Sequence, residues 1–249
     1  MSDELTAARG RHVRNSVDTA YGGAGGAQRG VRHPRAVLSA WLTSAAATLA
    51  VVLLALGASA HAGLSAYDVP VTTAVTGSRD GLLTPLARAF TFLGSTLSIS
   101  VLTIVVVAWL VWRRRAVLSG VVFAGTMAVS AALTTILKHL VGRARPPAVD
   151  VLGAVDTSYS FPSGHSLNSM VFFGLLAAVV VALTATLRAR VAAVAGWLAA
   201  TGAIGLSRIY LGYHWMTDVL AGWCTGLAIL ALVAAIVLRT GILRADWRR

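Results

Sequence analysis

Charge is scarce in this chain: only 12% of its 249 residues are Asp, Glu, Lys or Arg, against about 25% in ordinary soluble domains. Acids are scarcer still, with 9 Asp and Glu facing 21 Lys and Arg. The shortage of charge argues against a soluble domain. The shortage of acids leaves no carboxylate cluster of the kind that holds magnesium. A single cysteine, Cys224, excludes an intrachain disulfide, and there is no zinc or redox motif. Cys224 lies inside an apolar run and reads as a small core residue.

Apolar residues, by contrast, make up 57% of the chain. They gather into six runs, at about 36–60, 91–112, 116–137, 166–187, 191–207 and 219–238, each near the roughly 20 residues that cross a bilayer as a helix. The expected fold class is therefore all-α: a polytopic membrane protein with a six-transmembrane-helix bundle over 36–238. Residues 1–35 read as a disordered basic cytoplasmic tail and 239–249 as a short basic cytoplasmic tail. Ala58-Ser59-Ala60 resembles a signal-peptidase site, but the preceding apolar run is longer than a leader needs, so it reads as a retained helix. Between the first two runs, residues 61–90 should form short interfacial helices on the extracytoplasmic side, as a lid, a lipid entrance or a plain connector.

A net charge of +12 would suit nucleic acid if it formed one patch. Instead the bases cluster at alternate ends of the runs: Arg113 to Arg115, Arg188 and Arg190, and Arg239 onward, together with the arginines before residue 36. That is the positive-inside pattern of a plasma-membrane protein with both termini cytoplasmic. It gives the lipid bilayer as partner and excludes nucleic acid.

Three stretches at the opposite helix ends carry the remaining chemistry. In the first, Lys138 and Arg145 are seven residues apart, which places them on one helical face if the helix persists, before Pro146 and Pro147 end it. Arg143, between them, reads as either a further phosphate contact or an exposed base, with the exposed role preferred. In the second, Ser163 is an N-cap candidate and Gly164 permits close approach, so the start of the fourth helix offers free amides to an anion. His165 stands at the mouth of that cradle. In the third, Arg208 closes the fifth helix, Gly212 allows a turn, and His214 and Asp218 lie four apart on one face of the sixth helix. A carboxylate there fixes the imidazole tautomer and leaves the other nitrogen free to attack. Each stretch alone also has a plain structural reading as a helix anchor or cap. The expected topology brings all three to one external face, which argues for a joint function.

The pattern Lys138-x6-Arg145-Pro146, Pro162-Ser163-Gly164-His165 and Ser207-Arg208-x5-His214-x3-Asp218 resembles the three-part signature of the type 2 phosphatidic acid phosphatase superfamily. The resemblance implies a lipid phosphatase that works without a metal or other cofactor. It implies His214 as nucleophile, Asp218 as its support and His165 as acid and then base. Lys138, Arg145, Arg208, Ser163 and Gly164 would bind the phosphoryl group. Prenyl pyrophosphate, phosphatidate and phosphatidylglycerophosphate are all candidate substrates. The same residues would also serve a lipid phosphotransferase, while a non-catalytic lipid-binding or transport protein would not need both histidines. The Gly222 to Gly226 spacing fits either a homodimer face or close packing within one bundle.

Overall fold

The structure, a computed structural model, describes residues 34–246. The expected N-terminal tail therefore lies outside the described residues except for Pro34 and Arg35, which already belong to the first helix. Eight α-helices are described. Helix α1 spans Pro34–Ala60, with proline at the position where its missing N–H costs nothing. A 3₁₀ turn at Gly63–Tyr67 leads to α2, Asp68–Gly77, and α3, Leu83–Leu93. Asp80 starts α3 by accepting from the amides of Leu82 (2.9 Å) and Leu83 (2.6 Å). The short helices expected within 61–90 are thus present.

The second apolar run does not begin at 91. It is broken at Gly94, and α4, Thr96–Ala108, starts only after Ser95, whose hydroxyl accepts from the Ser98 amide at 3.2 Å. A π-helical turn, Trp109–Arg113, extends it. Helix α5 spans Val117–Val141 and α6 spans Gly164–Leu183. Thr186 caps α7, Leu187–Tyr210, so the fourth apolar run ends earlier and the fifth is longer than expected. Helix α8 spans Met216–Thr240 and ends at Gly241, two residues into the expected C-terminal tail.

Among the described residues, six helices are long and apolar enough to cross a membrane: α1, α4 with its π turn, α5, α6, α7 and α8. Helix α6 is the most enclosed of them, with half of its apolar window buried. Its Leu167, Val171, Phe172 and Leu175 form a core with Ile99, Phe123, Met127 and Ile229. Phe123 meets Phe172 edge to face with ring centroids 5.8 Å apart, a favourable aromatic geometry. Helix α1 lies along α8, where Ser44 donates to the Ala228 carbonyl at 3.0 Å, and Leu54 and Ala58 share a cluster with Phe161 and Ala221. The outer faces of α1, α4, α5 and α7 carry exposed leucines, valines and isoleucines, as lipid-facing helices should.

Gly222 and Gly226 face α6 in the same chain. A Cβ at Gly222 would lie 2.7 Å from the Ser163 carbonyl oxygen, and one at Gly226 would lie 2.7 Å from Met170 Cβ. Absence of side chains there lets two helices approach closely. The pair is thus used for close packing within the bundle.

Candidate active site

The ends of α5 and α7 and the starts of α6 and α8 meet at one end of the bundle, covered by the 142–163 loop. That loop is tied down by backbone bonds from Ser160 to the Arg143 carbonyl (2.8 Å), Leu152 to the Leu211 carbonyl (2.9 Å) and Ser163 to the Asp218 carbonyl (3.0 Å). All three expected stretches are therefore brought together.

Helix α5 does not persist to Arg145. It ends at Val141 because Gly142 takes the left-handed conformation, φ 61°, and closes the helix by donating to the Lys138 carbonyl, a favoured glycine cap. The two cations converge by another route. Lys138 Nζ donates to Ser158 Oγ at 3.1 Å and to the Tyr159 carbonyl. Arg145 Nη2 reaches the same Ser158 Oγ at 3.0 Å. Arg145 also donates to the carbonyls of Ser158 and Tyr213 and to Asp156, each at 2.6–2.7 Å. Burial pulls Arg145 below its ordinary value, opposed by Asp156 and Asp218, and a guanidinium remains charged throughout. For Asp156, burial acts upward but is outweighed by its bonds from Ser158 and by the Arg145 charge, which hold it below the usual carboxylate value.

Ser163 caps α6 as expected. Its hydroxyl oxygen accepts from the Ser166 amide (3.4 Å) and the Ser166 hydroxyl (3.0 Å), which leaves its own proton for a further acceptor. Gly164 and His165 open α6, where amides lack partners within the helix. A Cβ at Gly164 would already meet Thr134 Cγ2 at 3.1 Å, so glycine keeps the cradle open. His165 lies within electrostatic reach of Arg208, His214 and Arg145. Arg208, only 6% exposed, stacks on the Tyr213 ring with Cζ 4.1 Å from its centroid and donates to Thr91. Its buried Nε has no partner among the described residues, a donor available to an incoming anion.

His214 precedes α8 instead of opening it, since Trp215 is the N-cap and Asp218 the third helical residue. Asp218 Oδ2 reaches back to accept from the Trp215 amide at 3.0 Å, the reciprocal half of a capping box. The same oxygen lies 3.5 Å from His214 Nδ1. Ser160 fills the gap between them: its hydroxyl donates to Asp218 Oδ2 and lies 3.3 Å from Nδ1. With Nδ1–H directed at Ser160 and Asp218, Nε2 carries the lone pair, and Arg145 Nη1 lies 3.4 Å from it. Burial is the largest influence on His214 and lowers it to about 4; Asp218 raises it, and Arg208 and Arg145 lower it. The imidazole is therefore neutral at physiological pH.

Arg143 is not exposed. It is 12% accessible, with Nη2 2.6 Å from Asp68 Oδ2 and Nη1 2.7 Å from Asp218 Oδ1. The helix break at Gly142 turns the chain and sends Arg143 inward, against the exposed role expected of it. Ser160, Asp68, Thr91, Thr217 and Asp156 are further site residues that the motifs did not point to. Asp68 had one signal, as one of only nine acids in the chain. Among the described residues there is no group of three or more His, Cys, Asp or Glu side chains positioned to hold a metal.

The chain is similar in sequence and in fold to known proteins. Residues 119–241 match the PAP2 superfamily. The chain is 28% identical over 190 residues to phosphatidylglycerophosphatase B of Bacillus subtilis, covering 75% of this chain and 91% of that one. It is 32% identical over 126 residues to lipid A 1-phosphatase of Rhizobium johnstonii, covering 47% and 48%, so it spans about half of that relative. The crystal structure of the first transmembrane PAP2-type phosphatidylglycerolphosphate phosphatase from Bacillus subtilis superposes with a TM-score of 0.70 at 25% identity, over 77% of this chain and 94% of that one. Aquifex aeolicus LpxE shares the fold, with a TM-score of 0.51 at 21% identity over 67% and 93%. With the signature residues gathered at one end of a six-helix bundle, the chain belongs to the PAP2 superfamily as a membrane-embedded lipid phosphatase.

Proposed function

We propose that this protein removes a terminal phosphate from a glycerolipid at the extracytoplasmic face of the membrane, through a phosphohistidine on His214 and without a metal. Phosphatidylglycerophosphate is the foremost substrate, because the relative matched over nearly its whole length is a phosphatidylglycerophosphatase. Phosphatidate and prenyl pyrophosphate are the competitors. The orientation is supported by Arg113 to Arg115, Arg188, Arg190 and Arg239, all exposed at the helix ends remote from the site, as the positive-inside bias requires. The transmembrane phosphatase domain is 36–238.

The observation that carries the mechanism is the environment of His214, with Nδ1 backed by Ser160 and Asp218 and Nε2 beside Arg145. In the first step Nε2 attacks phosphorus. The P–N bond forms as the bond to the lipid oxygen breaks, and His165 gives that oxygen its proton. In the second step His165, now neutral, takes a proton from water while the water oxygen attacks phosphorus. The P–N bond breaks and inorganic phosphate leaves. Lys138, Arg145, Arg208, the Ser163 hydroxyl and the Gly164 amide stabilise charge on the equatorial oxygens, which is the main demand of phosphoryl transfer.

The test is phosphate release by the purified protein in detergent with EDTA, with phosphatidylglycerophosphate, phosphatidate and a prenyl pyrophosphate compared. Turnover that persists in EDTA, favours phosphatidylglycerophosphate and disappears in His214→Ala is expected. Turnover lost to EDTA or retained by His214→Ala would overturn the mechanism, and preference for another lipid would overturn the substrate.

A further inference from the structure

Behind Asp218 lies a second carboxylate that the phosphatase chemistry above does not use. Asp68, the first residue of α2, is 2% exposed. Its Oδ2 accepts from Arg143 Nη2 (2.6 Å) and Thr217 Oγ1 (2.6 Å), and its Oδ1 from the Thr217 amide (2.9 Å). Arg143 Nη1 completes the bridge to Thr217 Oγ1 (2.8 Å) and Asp218 Oδ1 (2.7 Å). One guanidinium thus joins two buried carboxylates, while Asp218 presents its other oxygen toward His214. The segment between α1 and α4 therefore reaches the back of the site through one acid.

The charges explain why two acids are needed. If Asp218 faced Arg143 alone, its charge would already be matched in the resting protein. The imidazolium formed when His214 takes up the phosphoryl group would then face a neutral pair at a buried position, where electrostatic interactions are strong. Asp68 supplies the missing negative charge. With His214 neutral the cluster carries one net negative charge, and when His214 becomes cationic the cluster is neutral. The charge-assisted bond from Arg143 Nη1 to Oδ1 also holds the Asp218 carboxylate in orientation.

We propose that Asp68 and Arg143 are a positioning pair that orients Asp218 and preserves its charge for His214. The proposal rests on His214 being the nucleophile. Arg143 faces Asp68, Asp218 and the ring of Trp215, 5.6 Å away. The other charged or titratable groups facing His214 are Arg145 from the loop, His165 from α6 and Arg208 from α7, and these are left in place by the test.

The full-length chain is purified in detergent as Asp68→Asn, Arg143→Gln, the double variant and His214→Ala. The pH dependence of phosphate release from the preferred lipid is then recorded for each. Removing the Asp68 charge makes the His214 cation less favourable, so Asp68→Asn should move the acid limb down by about half a pH unit or more. It should also lower kcat about 10- to 100-fold, as loss of an outer-shell partner does, with KM within about twofold. Arg143→Gln should move the limb upward. The double variant should bring it back toward the wild-type position and be more active than the product of the single effects predicts.

Shifts of the same sign, no shift, or simple additivity in the double variant would overturn the proposal. If Asp68→Asn does not fold, the direction of the Arg143→Gln shift alone decides. Retained turnover in His214→Ala would refute the nucleophile itself. An inactive His214→Ala together with unshifted Asp68 and Arg143 variants would refute only the positioning role.

Discussion

Replacing Ser160 by alanine is the sharpest perturbation of the histidine that leaves its ring and its carboxylate in place. Ser160 is fully buried and supplies the hydroxyl between His214 Nδ1 and Asp218 Oδ2. The direct Nδ1 to Oδ2 separation of 3.5 Å is at the outer limit for a hydrogen bond. Without the hydroxyl the imidazole is held by that long contact alone, and Asp218 keeps the Arg143 and Trp215 donors on its two oxygens. A hydrogen bond to a charged group is worth about 1.5–3 kcal/mol. At about 1.4 kcal/mol per tenfold, kcat should fall roughly 10- to 150-fold. KM should change little, because Ser160 lies behind the histidine and not on the phosphoryl side. The assay is steady-state phosphate release in mixed micelles, with size-exclusion chromatography to confirm a monodisperse protein. Wild-type kcat in Ser160→Ala would refute the relay.

Three further outcomes follow from the structure. Because burial holds His214 near 4, the neutral imidazole persists well below the ordinary histidine value of about 6.5. The acid limb assigned to the nucleophile in kcat/KM should accordingly lie near pH 4. The unfolded chain takes up this proton from about pH 6.5 downward and the folded chain only near 4, so stability should fall as pH falls across that window. Thermal unfolding in detergent at pH 7 and pH 5 checks the sign, and the His214 contribution should be missing in His214→Gln. In the bundle, Gly222→Ala places a Cβ 2.7 Å from the Ser163 carbonyl and 2.8 Å from Ser166 Cβ. That overpacking should destabilise by about 1–3 kcal/mol and disturb the α6 cradle, lowering the unfolding temperature and activity together. Gly196→Ala, which meets nothing within 4 Å, is the matched control and should leave activity unchanged.

The signature residues could be read from the sequence because each sits beside an apolar run whose length fixes which end of the bundle it occupies. Lys138, Arg145, Ser163, His165, Arg208, His214 and Asp218 all fall where that logic sends them. What a sequence pattern cannot supply is the partner of a buried charge when the partner is remote in the chain. Asp68 meets Thr217 across 149 residues and Arg143 across 75, and neither spacing has a helical period. The local errors have local causes. Gly142 ends α5 before the prolines can, which redirects Arg143 inward and brings Arg145 to Lys138 through Ser158. Trp215 caps α8, so His214 lies in the preceding turn and Asp218 reaches it as a capping-box carboxylate. The Gly94-Ser95 break that starts α4 was in principle visible, as a glycine followed by a serine cap inside an apolar run.

The central claim is covalent transfer of the phosphoryl group to His214. Rapid mixing of the purified chain with a lipid labelled in its terminal phosphate, in the presence of EDTA and followed by an alkaline quench, tests it directly. Label should appear on the chain before steady state, be lost on acid treatment as expected for a phosphohistidine, map to the peptide containing His214 and be absent in His214→Ala. Turnover with no label on the chain, or label that survives in His214→Ala, would contradict the account.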